Sequence, residues 1–242
     1  MASLPIVSIF ISSFCTLLGA LPTLFIANLS HGKKDNLLAF TAGVMVAAST
    51  YSLIPSALKL SNMFVLCVGI LLGALVLTLL EKSLPHSDLE HSQTMHASAF
   101  LLFITMALHN IPEGLSVGVS FASQVEDLGP LVALAIGLQN IPEGFLLALF
   151  LITQGTGRWK AFGYTFLAGF TEFASALSGM IFGEQMFTIV PYGLAFAAGA
   201  MLFIVYKELI PESHGHGHER SATFSFILGL LMMIVLTGYL GE

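Results

Sequence analysis

Two six-residue stretches carry most of the chemistry available to this chain: HNIPEG at 109–114 and QNIPEG at 139–144. His109 and Glu113 are four residues apart. On a helix they share one face and can grip one ion. Gln139 and Glu143 repeat that spacing. Pro112 and Pro142 have no N–H, so the carbonyls of Leu108 and Leu138 lose their helical donors. In hydrocarbon such a carbonyl is costly unless it lines a polar cavity or binds something. Asn110 and Asn140 add neutral amide oxygens, and Gly114 and Gly144 let helices approach closely. A third acidic residue, Glu172 in GFTEFASAL, stands in another apolar run.

An ionised Glu at mid-bilayer costs roughly 3 kcal/mol, so Glu113, Glu143 and Glu172 together would cost on the order of 9 kcal/mol uncompensated. No Lys or Arg falls at their depth in the sequence. Protons or a bound cation remain as the ways to neutralise them. Two carboxylates, an imidazole and an amide suit a divalent ion of intermediate softness: Zn, Fe(II), Mn, Co or Cd. Thiolates are missing from the motif, which argues against Cu(I). A lone intramembrane Glu or His is equally compatible with hydrogen-bonded structural glue. The repetition of the motif, with a further Glu nearby, favours a metal pathway.

The elements that must position these groups are membrane spans. The 242 residues are 56% hydrophobic and only 9% charged, with mean hydropathy +0.89. Soluble domains carry about 25% charged residues. The expected fold is therefore all-α: a single transmembrane domain over 1–242 with spans near 4–28, 36–58, 62–81, 97–121, 129–153, 160–182, 188–210 and 221–240. Two His-containing loops, 82–96 and 211–219, join them. The N-terminal stretch lacks a positive n-region and reads as a retained first span. Cys15 and Cys67 read as small buried hydrophobes. No basic stripe suggests nucleic acid, and no resident cofactor is indicated.

The chain has eight Lys and Arg. With eight spans, only Lys59 falls on one side and all the others fall on the opposite side. The positive-inside rule makes that opposite side cytoplasmic and puts both termini outside. Internal repeats accompany the skew. The NIPEG motifs recur at an offset of 30, and TAGVMVAASTYSLIPSA around span 2 matches AAGAMLFIVYKELIPES around span 7 at an offset of 156. Each pair of spans runs in opposite directions, as in transporters built from inverted repeats.

At these residues the sequence resembles the ZIP (Zrt-, Irt-like protein) family of divalent metal transporters, most closely its bacterial gufA-like branch. The likeness covers essentially the whole chain. It implies a 3+2+3 arrangement of the eight helices with inverted repeats, a homodimer in the cell membrane, and metal movement toward the cytoplasm. It implies that spans 1, 4, 5 and 6 slide against spans 2, 3, 7 and 8. By that likeness a central site uses His109, Glu113, Gln139 and Glu143 with Met45 nearby. An adjoining site uses Asn110, Asn140 and Glu172, with Glu113 and Glu143 bridging. Three positions depart from the family pattern. Asn140 stands where some relatives carry Asp, Lys207 where many carry His beside the acidic residue that is here Glu208, and Ser52 where several branches carry an acid.

Outside the spans, His214, His216 and His218 form HGHGH, a flexible chelating run placed to capture metal at the exit. His86, His91 and His96 form a sparser set, and His31 in a short loop carries no signal. The expected function is a secondary transporter of divalent metal, zinc first. The alternatives are an intramembrane zinc hydrolase and a passive metal channel. Against the hydrolase stand the absence of HExxH and of a Ser/His/Asp set, and repeats that catalysis does not need.

Overall fold

A computed structural model describes residues 3–26, 29–83, 95–123, 125 and 127–240. No strand occurs among them. The helices are α1 (Ser3–Ala20, continued by a 3-10 turn Leu21–Leu24), α2 (His31–Leu60), α3 (Met63–Ser83) and α4 (Met95–Ala122). They continue with α5 (Leu128–Thr153), α6 (Arg158–Gln185), α7 (Phe187–Ser213) and α8 (Glu219–Leu240). Among the described residues, α1, α2, α3, α5, α6, α7 and α8 are long and apolar enough, by length and composition, to cross a membrane, and α4 has 28 residues.

Several boundaries differ from the expected ones, and α2 begins at His31, a residue expected in a loop, rather than near 36. α7 continues through Pro211 to Ser213, so the HGHGH connection is shorter than 211–219. Pro211 opens a new helical segment, where a missing N–H costs nothing. Similarly, α3 runs to Ser83 and α4 begins at Met95. His86 and His91 lie outside the described residues. Cys67 is exposed on α3 rather than buried, and both cysteines are free.

The spans divide by burial. Two thirds of the apolar windows of α2 and α5 are buried, against 28% for α3 and 17% for α8. The outer helices present Leu71, Leu75, Leu228 and Leu231 outward, the surface a lipid solvent requires. The most extensive pairings are α4 with α6, α1 with α5, α2 with α8 and α3 with α7. α1, α4, α5 and α6 thus form one group, and α2, α3, α7 and α8 another. The groups meet mainly where α4 packs on α7 and α2 on α5.

Small residues set these approaches. A Cβ on Gly43 of α2 would lie 2.1 Å from the Phe226 carbonyl oxygen of α8, and one on Gly199 of α7 would lie 2.2 Å from that of Ile70 in α3. The two contacts are the same contact moved by 156 residues. A Cβ on Gly114 would meet the Glu172 carbonyl at 2.2 Å, and one on Gly144 the Thr16 carbonyl at 1.9 Å. Here the offset is 30 on one side and again 156 on the other. Helix α2 widens into a π-helical stretch at Ala48–Leu53, and α7 does so at Val205–Leu209, at corresponding positions. Such stretches recur at functional sites because they release backbone groups from the regular ladder.

Candidate metal site

Both NIPEG motifs lie near the middle of their helices, and both helices run unbroken through the proline. The prolines therefore leave the Leu108 and Leu138 carbonyls without their helical N–H partners. Gln139 and Glu143, four residues apart, meet through a hydrogen bond on one face of α5. Glu113, Gln139 and Glu172 are wholly buried, and His109, Asn110, Asn140, Glu143 and Met45 are buried as well.

Hydrogen bonds made by three side chains, Gln139, Asn140 and His109, tie these helices together. The Gln139 amide, through Nε2, donates to Glu113 Oε1 and to Glu143 Oε2, the second at 3.0 Å. One side-chain nitrogen of α5 thus bridges the carboxylates of both motifs. The Asn140 amide donates to Glu172 Oε2 at 2.8 Å and to the Ser12 carbonyl at 3.0 Å, which joins α5 to α6 and α1. Across the boundary between the helix groups, His109 Nε2 lies 3.2 Å from Glu208 Oε1. Glu208 stands in the π-helical stretch of α7, and its counterpart in α2 is Ser52.

Four buried oxygens here have no hydrogen-bond donor among the described residues: Asn110 Oδ1, Glu113 Oε2, Gln139 Oε1 and Glu172 Oε1. A buried acceptor left without a donor costs about 1–3 kcal/mol, more if charged. All four are hard or borderline oxygen ligands, and they come from α4, α5 and α6. A cation supplies what donors do not: one positive centre that several oxygens can face at once. Gln139 can meet an ion between the two glutamates by turning its amide so that Oε1 faces inward.

The sequence singled out His109, Asn110, Glu113, Gln139, Asn140, Glu143 and Glu172, and the fold links five of them by hydrogen bonds in two sets, Gln139 with Glu113 and Glu143, and Asn140 with Glu172, while His109 pairs with Glu208. Asn110 joins them only as an unpartnered buried oxygen. Met45 is buried in the core cluster with Met201. Glu208, which the sequence assigned to the exit, is in contact with His109. His214 is exposed. His216 and His218 reach a residue that sequence reasoning passed over, Asp35 at the start of α2. Ser12, whose carbonyl anchors Asn140, also carried no signal, because a backbone acceptor is independent of side-chain type.

A sequence model of the ZIP zinc transporters matches residues 80–237. The chain is 37% identical to the zinc transporter GufA of Myxococcus xanthus over 98% of both proteins. It is 35% identical to the zinc transporter ZIPB of Bordetella bronchiseptica, over 93% of this chain and 78% of that one. It is 30% identical to the zinc transporter ZupT of Streptococcus mutans, over 82% and 83%. These likenesses remove the hydrolase reading and agree with the multi-pass membrane architecture. With its buried carboxylates, imidazole and amides gathered in mid-helix, the chain belongs to the ZIP family of zinc transporters, an integral membrane family of transporters and not of enzymes.

Proposed function

We propose that this protein is a secondary transporter that carries divalent transition metals, zinc first, across the cell membrane toward the cytoplasm by alternating access. The carrying observation is the convergence of Glu113, Glu143 and Glu172 with unpartnered buried oxygens near the middle of three long helices. His109 supplies the borderline nitrogen that favours zinc, iron(II), manganese, cobalt or cadmium over calcium and magnesium.

The packing supports a moving device. The sliding group, α1, α4, α5 and α6, carries Glu113, Gln139, Asn140, Glu143 and Glu172. The opposing group carries Met45 and Glu208. Contacts recurring at the 156 and 30 offsets support a 3+2+3 plan in which inverted repeats give inward-facing and outward-facing forms of similar energy. The His109–Glu208 pair crosses the sliding boundary, so the metal can leave the central site along it.

Reconstituted in vesicles with a buried zinc indicator, the protein should accumulate zinc above the outside concentration when a driving gradient is imposed. A channel would equalise zinc and stop there. Uptake no faster than in protein-free vesicles would remove the transport reading altogether. Light scattering of the same preparation should give the mass of two chains.

Sidedness has its own support. Arg158 Nη1 donates to the Leu24 carbonyl at 2.7 Å, and Asp35 contacts His216 and His218. The connections after spans 1, 5 and 7 therefore share one end of the bundle, the end rich in Lys and Arg that we assign to the cytoplasm. With Cys15 and Cys67 replaced, a cysteine at Ser221 should resist an impermeant thiol reagent in intact cells. Cysteines at Asn62 or Glu184 should react. The reverse pattern would invert the topology.

A further inference from the structure

Four of the chain's eight Lys and Arg gather at one corner of the bundle. Lys33 and Lys34 lie in the first turn of α2, and Arg158 and Lys160 in the first turn of α6. Contacts between the helices fix the corner. Arg158 Nη1 donates to the Leu24 carbonyl at 2.7 Å, which ties α6 to the end of α1. The Lys34 ammonium lies 5.5 Å from the centre of the Phe150 ring, which brings the start of α2 to the end of α5. The turn Leu21–Leu24 packs against both α5 and α6.

The protein does not neutralise these charges. The stretches 21–35 and 150–163 hold one acidic residue, Asp35. Its carboxylate is fully buried and is engaged by His216 and His218. Among the described residues, none of the four cations has a carboxylate within ion-pair distance. No side chain caps α6 at Gly157, so the positive end of its dipole adds to the same charge. Apolar groups stand beside the cations. Phe25 is 85% and Trp159 76% exposed, and Leu21 and Ile26 are exposed as well. At the edge of a bilayer this is the expected array, with aromatic rings at headgroup depth and Lys and Arg facing phosphates. A zwitterionic headgroup carries its own ammonium and brings no net charge to four cations. An anionic phospholipid brings a net negative charge, phosphate oxygens for the Arg158 guanidinium fork, and acyl chains for the exposed rings.

We propose that this corner binds an anionic phospholipid of the leaflet it faces, with Arg158, Lys160, Lys33 and Lys34 around the headgroup and Phe25, Ile26 and Trp159 along the acyl chains. The lipid is shared between the two helix groups. Arg158 and Lys160 stand on α6 of one group, and Lys33 and Lys34 on α2 of the other. An anionic headgroup between them relieves a repulsion that no carboxylate of the corner offsets. Binding of this kind needs a bilayer and is independent of the transport reading.

Trp159 is the chain's single tryptophan, so its fluorescence reports on this corner alone. The full-length protein is reconstituted in phosphatidylcholine vesicles doped with a brominated lipid, either phosphatidylglycerol or phosphatidylcholine. The brominated anionic lipid should quench Trp159 at roughly a tenth of the mole fraction that the neutral one needs. That preference should shrink at high salt, because exposed charges are screened. Arg158→Gln with Lys160→Gln, and separately Lys33→Gln with Lys34→Gln, should each bring the two lipids to within about threefold of one another. The second pair leaves the Arg158 bond to Leu24 in place, so it carries the test even where the first does not fold. Equal quenching by the two lipids in the unaltered protein overturns the site, and so does a preference that survives in both variants. A preference removed by inorganic phosphate at constant ionic strength would mark a site for free phosphate and overturns it too. Zinc uptake into the same vesicles is scored separately, and its absence would count against the transport reading alone.

Discussion

Zinc uptake by Glu143→Ala or Glu113→Ala should fall to the level of protein-free vesicles, with the protein still eluting as a folded species. In the structure both carboxylates share the Gln139 amide, so an ion placed there meets two negative charges and is neutralised. With one removed, a net positive charge stays in a buried site. Breaking a buried charge pair costs about 3–5 kcal/mol, and about 1.4 kcal/mol is a factor of ten in affinity, so binding weakens by roughly two to four orders of magnitude. His109→Ala should lower zinc uptake and narrow the preference for zinc over manganese, because imidazole is the nitrogen ligand of the set and also contacts Glu208 across the sliding boundary. Normal zinc uptake by either correctly inserted glutamate variant would sink the assignment of the central site.

Asn140→Asp should convert a site with one tight ion into a site with two. The first ion is neutralised by Glu113 and Glu143. A second finds Glu172 as its new anion, and the structure shows that carboxylate already engaged: Asn140 donates to Glu172 Oε2 and to the Ser12 carbonyl through the same amide nitrogen. The aspartate variant loses both donors and sets a second carboxylate beside Glu172. Without metal, the Ser12 carbonyl loses a donor and like charges crowd, which lowers stability. With metal, the added charge should tighten the second ion at least tenfold, or about 1.4 kcal/mol. Equilibrium dialysis with zinc or cadmium, on protein lacking the loop histidines, counts the ions. Two ions of equal high affinity in the unaltered site would refute this charge accounting. A gain in thermal stability of Asn140→Asp without added metal would do the same.

The chain's own residue order determined a great deal here. Runs of about 20 apolar residues define spans because hydrocarbon leaves backbone groups no partner but their own helix. Four-residue spacing puts His109 with Glu113, and Gln139 with Glu143, on single faces by helix geometry alone. The 156 and 30 offsets were readable as internal matches, and the Gly43/Gly199 and Gly114/Gly144 contacts follow them. Span ends were less legible. The π-helical stretches in α2 and α7 and the continuation through Pro211 depend on which backbone groups find partners in neighbouring helices.

Only the tertiary structure decided which charges meet. That Glu208 faces His109, that Asn140 spends its amide on Glu172 and Ser12, and that Asp35 holds His216 and His218 are contacts between residues 32 to 183 positions apart. Periodicity fixes the face of one helix but carries no information about which face of another helix it will meet. His31 shows the limit most plainly. In the sequence it is one histidine in a short loop, and in the fold its ring lies against that of His216. The physical reason is that packing of α2 against α8 and α7 brings the start of α2 and the connection after α7 to one corner of the bundle, and a local pattern cannot encode a meeting made by helices elsewhere.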